Sequence, residues 1–169
     1  MLKAFNNATE ADSGCTLPYS DILTQEILNQ GTSLRVKGCG YSMHPFIRTG
    51  DTLLIEPKGR HKLSIGDIIF YRRPGGQYIA HRLVRKLDQD TLIAKGDNLT
   101  YYDDPVLVEQ VFGRVVSIER DCHNRNLDSW LNKLIGRCWA RFSPMSKWLY
   151  PLFRPGWKLY RKLSRTRTA

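Results

Sequence analysis

The sequence predicts a mainly β fold, a compact curled sheet or small barrel, with a helical tail at its C-terminal end. Three observations carry that reading. Between residues 34 and 119, short runs rich in Val, Ile, Leu, Tyr and Phe alternate with turns built from Gly, Pro, Asn and Asp. From residue 127 onward the apolar residues fall at helical spacing instead. The charge divides at the same place. Residues 1–119 hold 14 basic and 14 acidic side chains, whereas residues 120–169 hold 12 basic and 2 acidic ones, so the whole net charge of +10 belongs to the tail. All four Trp lie there too.

The elements follow in order. Residues 1–18 are polar and unpatterned, an expected loose arm. Ser20 is placed to cap a short helix through Gln30, with Ile22, Leu23, Ile27 and Leu28 apolar and Gly31 as its stop. The segment is too short for a helix-turn-helix domain. Expected strands cover Leu34–Lys37, Thr52–Glu56, Asp67–Tyr71, Gln77–Leu87, Thr91–Lys95 and Val111–Glu119. The turns between them include Thr49-Gly50-Asp51, Pro57-Lys58-Gly59, Pro74-Gly75-Gly76 and Gly96-Asp97-Asn98. Strands this short and this closely spaced suit a curled sheet or barrel. The strand pattern stops around Arg120–Asn126. Beyond it Leu127, Trp130, Leu131, Leu134, Ile135, Cys138, Trp139 and Phe142 predict a helix, and Ser143-Pro144 restarts one before Pro151 and Pro155. Three regions result: an arm and short helix over 1–33, a β domain over 34–119, and a basic Trp-rich helical tail over 120–169.

Several classes are excluded on composition. A chain of 169 residues accommodates one domain with an appendage, and 41% hydrophobic content suffices for its core. No window reaches the ~18 uninterrupted apolar residues of a spanning helix. The start, MLKAFNNATEADSG, lacks the apolar centre of a secretory signal. The expected location is therefore cytoplasmic or peripheral to a membrane. Cys15, Cys39, Cys122 and Cys138 show no CxxC spacing. Without secretion they predict neither a disulfide scaffold nor a metal site, only structural or incidental thiols.

Chemistry is concentrated in a few residues. Gly38-Cys39-Gly40-Tyr41-Ser42-Met43-His44-Pro45 sets a serine among glycines after a strand. Glycines permit close backbone approach and positive φ, which helps expose a nucleophile and aim its N–H at a developing oxyanion. Most serines in such turns only shape the turn, so a nucleophile needs a base brought from elsewhere in the fold. His81 is the best placed, inside an apolar strand with Ile79 and Leu83 on its own face. It reads either as a core histidine or as a neutral imidazole beside a nucleophile. His44 is too near Ser42 in sequence, His61 lies in a polar loop, and His123 lies in the linker. Asp97, Asp103 and Asp104 are candidates to orient the imidazole, or are turn and loop carboxylates.

Taken in order, these segments resemble the signal peptidases. The resemblance rests on Ser42-Met43-x-Pro45, Gly50-Asp51, Gly66-Asp67-Ile68-Ile69-Phe70, His81-Arg82-Leu83-Val84, Lys95-Gly96-Asp97-Asn98, Asp103-Asp104 and Gly113-Arg114-Val115. It spans about residues 34–119 and looks closest to the endoplasmic-reticulum and archaeal type, which uses histidine as base. It implies a β peptidase domain needing no metal or organic cofactor, which acts on a precursor protein or peptide. Ser42 matches the nucleophile, His81 the general base, and Met43 and Pro45 the substrate-binding positions. The second aspartate of the pair matches Asp104. The spacing from Asp97 is one residue longer than the family pattern, which keeps Asp103 and Asp97 as alternatives. Bacterial leader peptidases and self-cleaving repressors carry lysine where this chain has His81, and no Ala-Gly dipeptide is present for self-cleavage.

Signal peptidases of this type place a transmembrane helix ahead of the serine segment, whereas about 40 mostly polar residues precede it here. The tail over 127–169 offers another route, with Leu and Trp for an interface and Lys and Arg for an anionic membrane surface. Its other readings are a helix docked on the β domain and a nucleic-acid contact, the last without any accompanying motif. Two alternatives to an active peptidase remain at this level: an inactive peptide-binding module, and a nucleic-acid-binding protein using the tail.

Overall fold

The structure is a computed structural model that describes residues 21–60 and 62–142. The arm with its Ser20 cap, His61, and the helix expected to restart at Ser143-Pro144 lie outside the described residues.

Every strand read from the sequence is present, with ends shifted by one residue at most. They are β1 (Leu34–Lys37), β2 (Thr52–Pro57), β3 (Ile68–Arg72), β4 (Tyr78–Lys86), β5 (Thr91–Lys95) and β7 (Val111–Arg120). Two further strands, β6 (Val106–Leu107) and β8 (His123–Asn126), complete one antiparallel sheet. Its order is β1-β2-β7-β3-β4-β5-β6, with β8 paired to β7. Register shifts between Leu54 and Ile55, Phe70 and Tyr71, and Leu83 and Arg85 mark bulges that bend the sheet into its curl.

β8 corrects the expectation that the strand pattern ends at Arg120. Asp121 and Cys122 take positive φ values of 49° and 62°, and the chain folds straight back on β7 through them. All four β8 residues are exposed, and besides its backbone pairing with β7 the strand is held by Arg125, which donates to Asn132 Oδ1 and lies over the Phe46 ring. The sheet therefore extends seven residues past the expected boundary, to Asn126. Cysteine usage is corrected as well: Cys39 is disulfide-bonded, while Cys122 and Cys138 are free and exposed.

The curl gives β3 two buried faces. Ile68 and Phe70 join Leu34, Val36, Leu53, Ile55, Val115 and Ile118 in one cluster, which α1 (Asp21–Asn29) covers with Leu28. Ile69 and Tyr71 join Ile79, Leu83, Leu92, Ala94, Val106 and Val111 in the other. α1 ends as expected at Gly31 (φ +77°), whose N–H donates to Leu28 O at 3.1 Å.

α2 (Trp130–Phe142) is the expected tail helix, and it docks on the sheet instead of standing apart. Its small residues make the contact. Gly136 and Ala140 are buried, and the Gly136 backbone lies against that of Gly66. The Trp139 ring meets Phe46 edge-on, with centroids 5.1 Å apart. No helix among the described residues is long and apolar enough to cross a membrane.

Gly66 tests this docking. It has φ +99°, and a Cβ there would lie 2.7 Å from the backbone N of Arg137. Gly66→Ala should cost about 2 kcal/mol or more in a urea titration and speed amide exchange along α2. Gly75→Ala is the control: φ is +103°, but nothing lies within 4 Å, so only the left-handed strain of about 1–2 kcal/mol applies. Equal costs without faster exchange in α2 would contradict the docking.

Candidate active site

The Ser42 loop connects β1 to β2 and is closed at its neck, where Gly38 N–H donates to Asp51 O (2.7 Å) and Gly50 N–H to Gly38 O (2.9 Å). Two side chains anchor it from below, since Met43 and Ile47 are buried in the first core cluster. A charged clamp holds its far side. Asp51, itself buried, accepts two hydrogen bonds from Arg120 at 2.7 and 2.5 Å, and Arg120 also reaches Phe46 O at 3.1 Å. The chain after β5 fixes the serine itself, because Asn98 N–H donates to Ser42 O at 2.8 Å. That approach requires Gly96: a Cβ there would lie 2.7 Å from Ser42 O.

His81 arrives from β4, with only 3% of its surface exposed. Its Nε2 is 2.9 Å from Ser42 Oγ, and its Nδ1 is 2.6 Å from Asp103 Oδ2. The carboxylate can only accept, so Nδ1 carries the proton and donates it, which leaves Nε2 to accept from the serine hydroxyl. Asp103 is set by its own backbone, whose N–H donates to Ala94 O at 3.0 Å beside β5.

The charges around Asp103 keep it ionised. Burial alone pushes its carboxyl up. The His81 hydrogen bond and charge outweigh this, with lesser contributions from Tyr71 and Arg73, and hold it below the usual carboxylate range. Arg73 Nη2 donates to the second carboxylate oxygen, Oδ1. Burial first, and then the Asp103 charge, raise the Tyr71 hydroxyl, which lies close by without a well-aligned hydrogen bond. Lys95 is also buried behind the site, its ammonium pushed down by burial and partly restored by Asp97 and Asp103.

The expected residues separate into those that meet and those that do not. Ser42, His81 and Asp103 come together. Asp104, preferred on the resemblance, is exposed; neighbours along an extended chain face opposite ways, so Asp103 turns inward and Asp104 outward. Asp97 is engaged elsewhere. It takes two hydrogen bonds from Arg82, at 2.7 Å from Nε and 2.6 Å from Nη2. Met43, expected at the substrate, is a core anchor 5% exposed, whereas Pro45 is exposed on the loop. His44 is half-buried on the loop and His123 lies in β8.

The residue the sequence reading missed is Arg82. It follows His81 in β4 and so points to the opposite face, where it is buried. Besides Asp97 it bonds Gly66 O at 2.7 Å and covers the Phe46 ring at 4.9 Å. An arginine inside an apolar strand, followed at a distance by Gly-Asp-Asn, was the available signal. Among the described residues no cluster of His, Cys, Asp and Glu is arranged to hold a metal.

A curled β sheet that presents a serine hydroxyl to a carboxylate-bound imidazole belongs with the serine-peptidase-type hydrolases. The comparison with family models agrees: the chain belongs to the Peptidase S24-like family, whose model matches residues 6–116. No curated protein and no solved structure matches the chain. The family match ends within β7, so β8 and α2 lie beyond it.

The Asp103 network has a pH signature. A carboxyl held low in the folded state contributes stability that is present above its unfolded value of about 4 and lost as pH falls through the folded value. Asp128 behaves alike, since Arg114 and Lys133 outweigh the upward push of burial. Unfolding free energy should therefore drop with acid below about pH 4, and Asp103→Asn should flatten that drop without removing it. Parallel curves for the two proteins would contradict the assignment.

Proposed function

We propose that the chain is a serine endopeptidase of signal-peptidase type, which cleaves leader or signal segments from precursor proteins or peptides. The observation that carries this reading is the continuous chain Ser42 Oγ–His81–Asp103, with spacings of 2.9 and 2.6 Å. The histidine at position 81 favours the endoplasmic-reticulum and archaeal type over the lysine-based leader peptidases and self-cleaving repressors.

Ser42 Oγ attacks the scissile carbonyl while its proton passes to His81 Nε2. Asp103 holds the imidazole by Nδ1 and stabilises the imidazolium. The Ser42 backbone N–H supplies a donor for the oxyanion. Collapse of the tetrahedral adduct expels the amine, which takes the proton back from Nε2 and leaves an acyl-enzyme. Water then attacks, again with His81 as base, and releases the acid and the serine. Arg73 keeps the second oxygen of Asp103 occupied, so the carboxylate does not swing away from the imidazole. The edge strand β1 runs directly into the Ser42 loop. An extended substrate that adds alongside β1 would bring its backbone to the serine.

The test is incubation of the purified chain with candidate precursors, read by mass spectrometry. Ser42→Ala and His81→Ala should each reduce cleavage by about 10⁴-fold or more, and Asp103→Asn by about 10³-fold or more. Asp104→Asn should leave it unchanged. Full cleavage by Ser42→Ala would overturn the proposal, and retained peptide binding without cleavage in the unmutated chain would favour an inactive binding module.

A further inference from the structure

We propose that α2 and a cationic pocket on its flank dock the protein onto an anionic phospholipid surface. The inference does not rest on the peptidase reading.

α2 is amphipathic in an unusual sense. Its small face, Gly136 and Ala140, is the one buried on the sheet. The opposite face carries Trp130, Leu134, Cys138 and Phe142 at i, i+4, i+8 and i+12, with Leu131 beside them, and all are exposed. Trp130 is 76% exposed, whereas Trp139, the other tryptophan of the helix, packs on Phe46. Thirteen helical residues give a strip about 20 Å long. Helical geometry sets Lys133, Arg137 and Arg141 along one edge of it, and the helix contains no acidic residue.

That basic edge leads into a cavity of about 160 Å³, which Lys133 and Arg137 line together with Lys62, Arg114 and Asp67. Asp128 takes the two Arg114 hydrogen bonds at 2.8 and 2.9 Å, and Lys133 Nζ at 3.0 Å. Asp67 is 3.8 Å from Arg114. Four cations thus face two carboxylates, and the surplus is positive. Arg114 Nε is buried there without a hydrogen-bond partner. A phosphate monoanion is the complementary ligand.

An apolar strip and a phosphate-sized basic pocket side by side match the two layers of a bilayer surface. The side chains of Trp130, Leu134 and Phe142 enter the acyl boundary while Lys62 and Arg137 meet the headgroup phosphate. A second copy of the chain fits poorly, because two such strips face to face would oppose their own lysines and arginines. The residues that follow continue the pattern, since 143–169 contain seven Lys or Arg and no Asp or Glu. An extended basic surface of that kind suits a field of anionic headgroups better than one acidic partner. The docked face also lies near the candidate site, because α2 packs on β4 and Trp139 touches the Ser42 loop through Phe46.

The test is co-sedimentation of the full chain with vesicles of phosphatidylcholine alone or mixed with phosphatidylglycerol. The wild type should bind the mixed vesicles about tenfold tighter or more, and salt should weaken that binding. Leu134→Ser with Phe142→Ser should weaken it about tenfold, and so should Lys62→Gln with Arg137→Gln. These residues are exposed, so an unchanged thermal midpoint verifies the fold of each variant. Absence of vesicle binding overturns the proposal. Wild-type binding by either variant overturns it too, because residues outside the strip and pocket would then hold the membrane. Protection of Lys62 by inorganic phosphate without vesicle binding, or a dimer that the strip variant abolishes, would assign the surface to a different occupant.

Discussion

The buried Arg82–Asp97 pair joins the parts of the structure that have to meet. Arg82 belongs to the strand that carries His81, and Asp97 to the turn whose next residue, Asn98, holds the Ser42 carbonyl. The same guanidinium bonds the Gly66 carbonyl beneath α2 and covers Phe46 in the serine loop. Serine and histidine thus reach bonding distance because the residue after the histidine clamps the turn beside the serine. Removing one partner would leave the other charge buried and unpaired, a loss of about 3–5 kcal/mol. The site and the helix dock would loosen together.

The pair is one of several. Arg120 and Asp51 tie the serine loop to the end of β7, Arg114 and Asp128 tie β7 to the start of α2, and Arg73 holds Asp103. Two of these pairs, Arg82–Asp97 and Arg73–Asp103, lie within the neutral residues 1–119, and the other two join that region to Arg120 and Asp128. The neutral charge of the domain and the basic excess of the tail therefore have different meanings. Within the sheet, charge locates loops. On the exposed side of α2 it lies open to whatever the protein docks against.

How far the sequence was legible depends on how each element is stabilised. The long strands alternate or run apolar between glycine turns, and their boundaries were readable to a residue. β8 was invisible because all four residues of His-Asn-Arg-Asn stay exposed and show no apolar alternation. What holds them, the β7 backbone and the Asn132 and Phe46 side chains that meet Arg125, lies outside the strand. Ser42 and His81 stand out as polar residues in settings that need explaining. The third member did not, because parity decides between Asp103 and Asp104, and the irregular chain after Asn98 has no register to read. The Asp103 amide bonded to Ala94 supplies that register only once the chain is folded. Met43 misled for a related reason: it sits beside the nucleophile in sequence, yet the loop turns it into the core. The amphipathic pattern of α2 was read correctly, but which face would be covered depended on Gly66 meeting Gly136, a contact between segments 70 residues apart.

The central claim is that His81 and Asp103 make Ser42 a nucleophile. Its most direct measurement is the reaction of the intact protein with a fluorophosphonate, followed by intact mass and peptide mapping. The account predicts a single adduct on Ser42, formed in the unmutated chain and in Asp104→Asn at equal rates, and slowed severely in His81→Ala and Asp103→Asn. No adduct, an adduct at another serine, or labelling of Ser42 at an undiminished rate without His81 would contradict it.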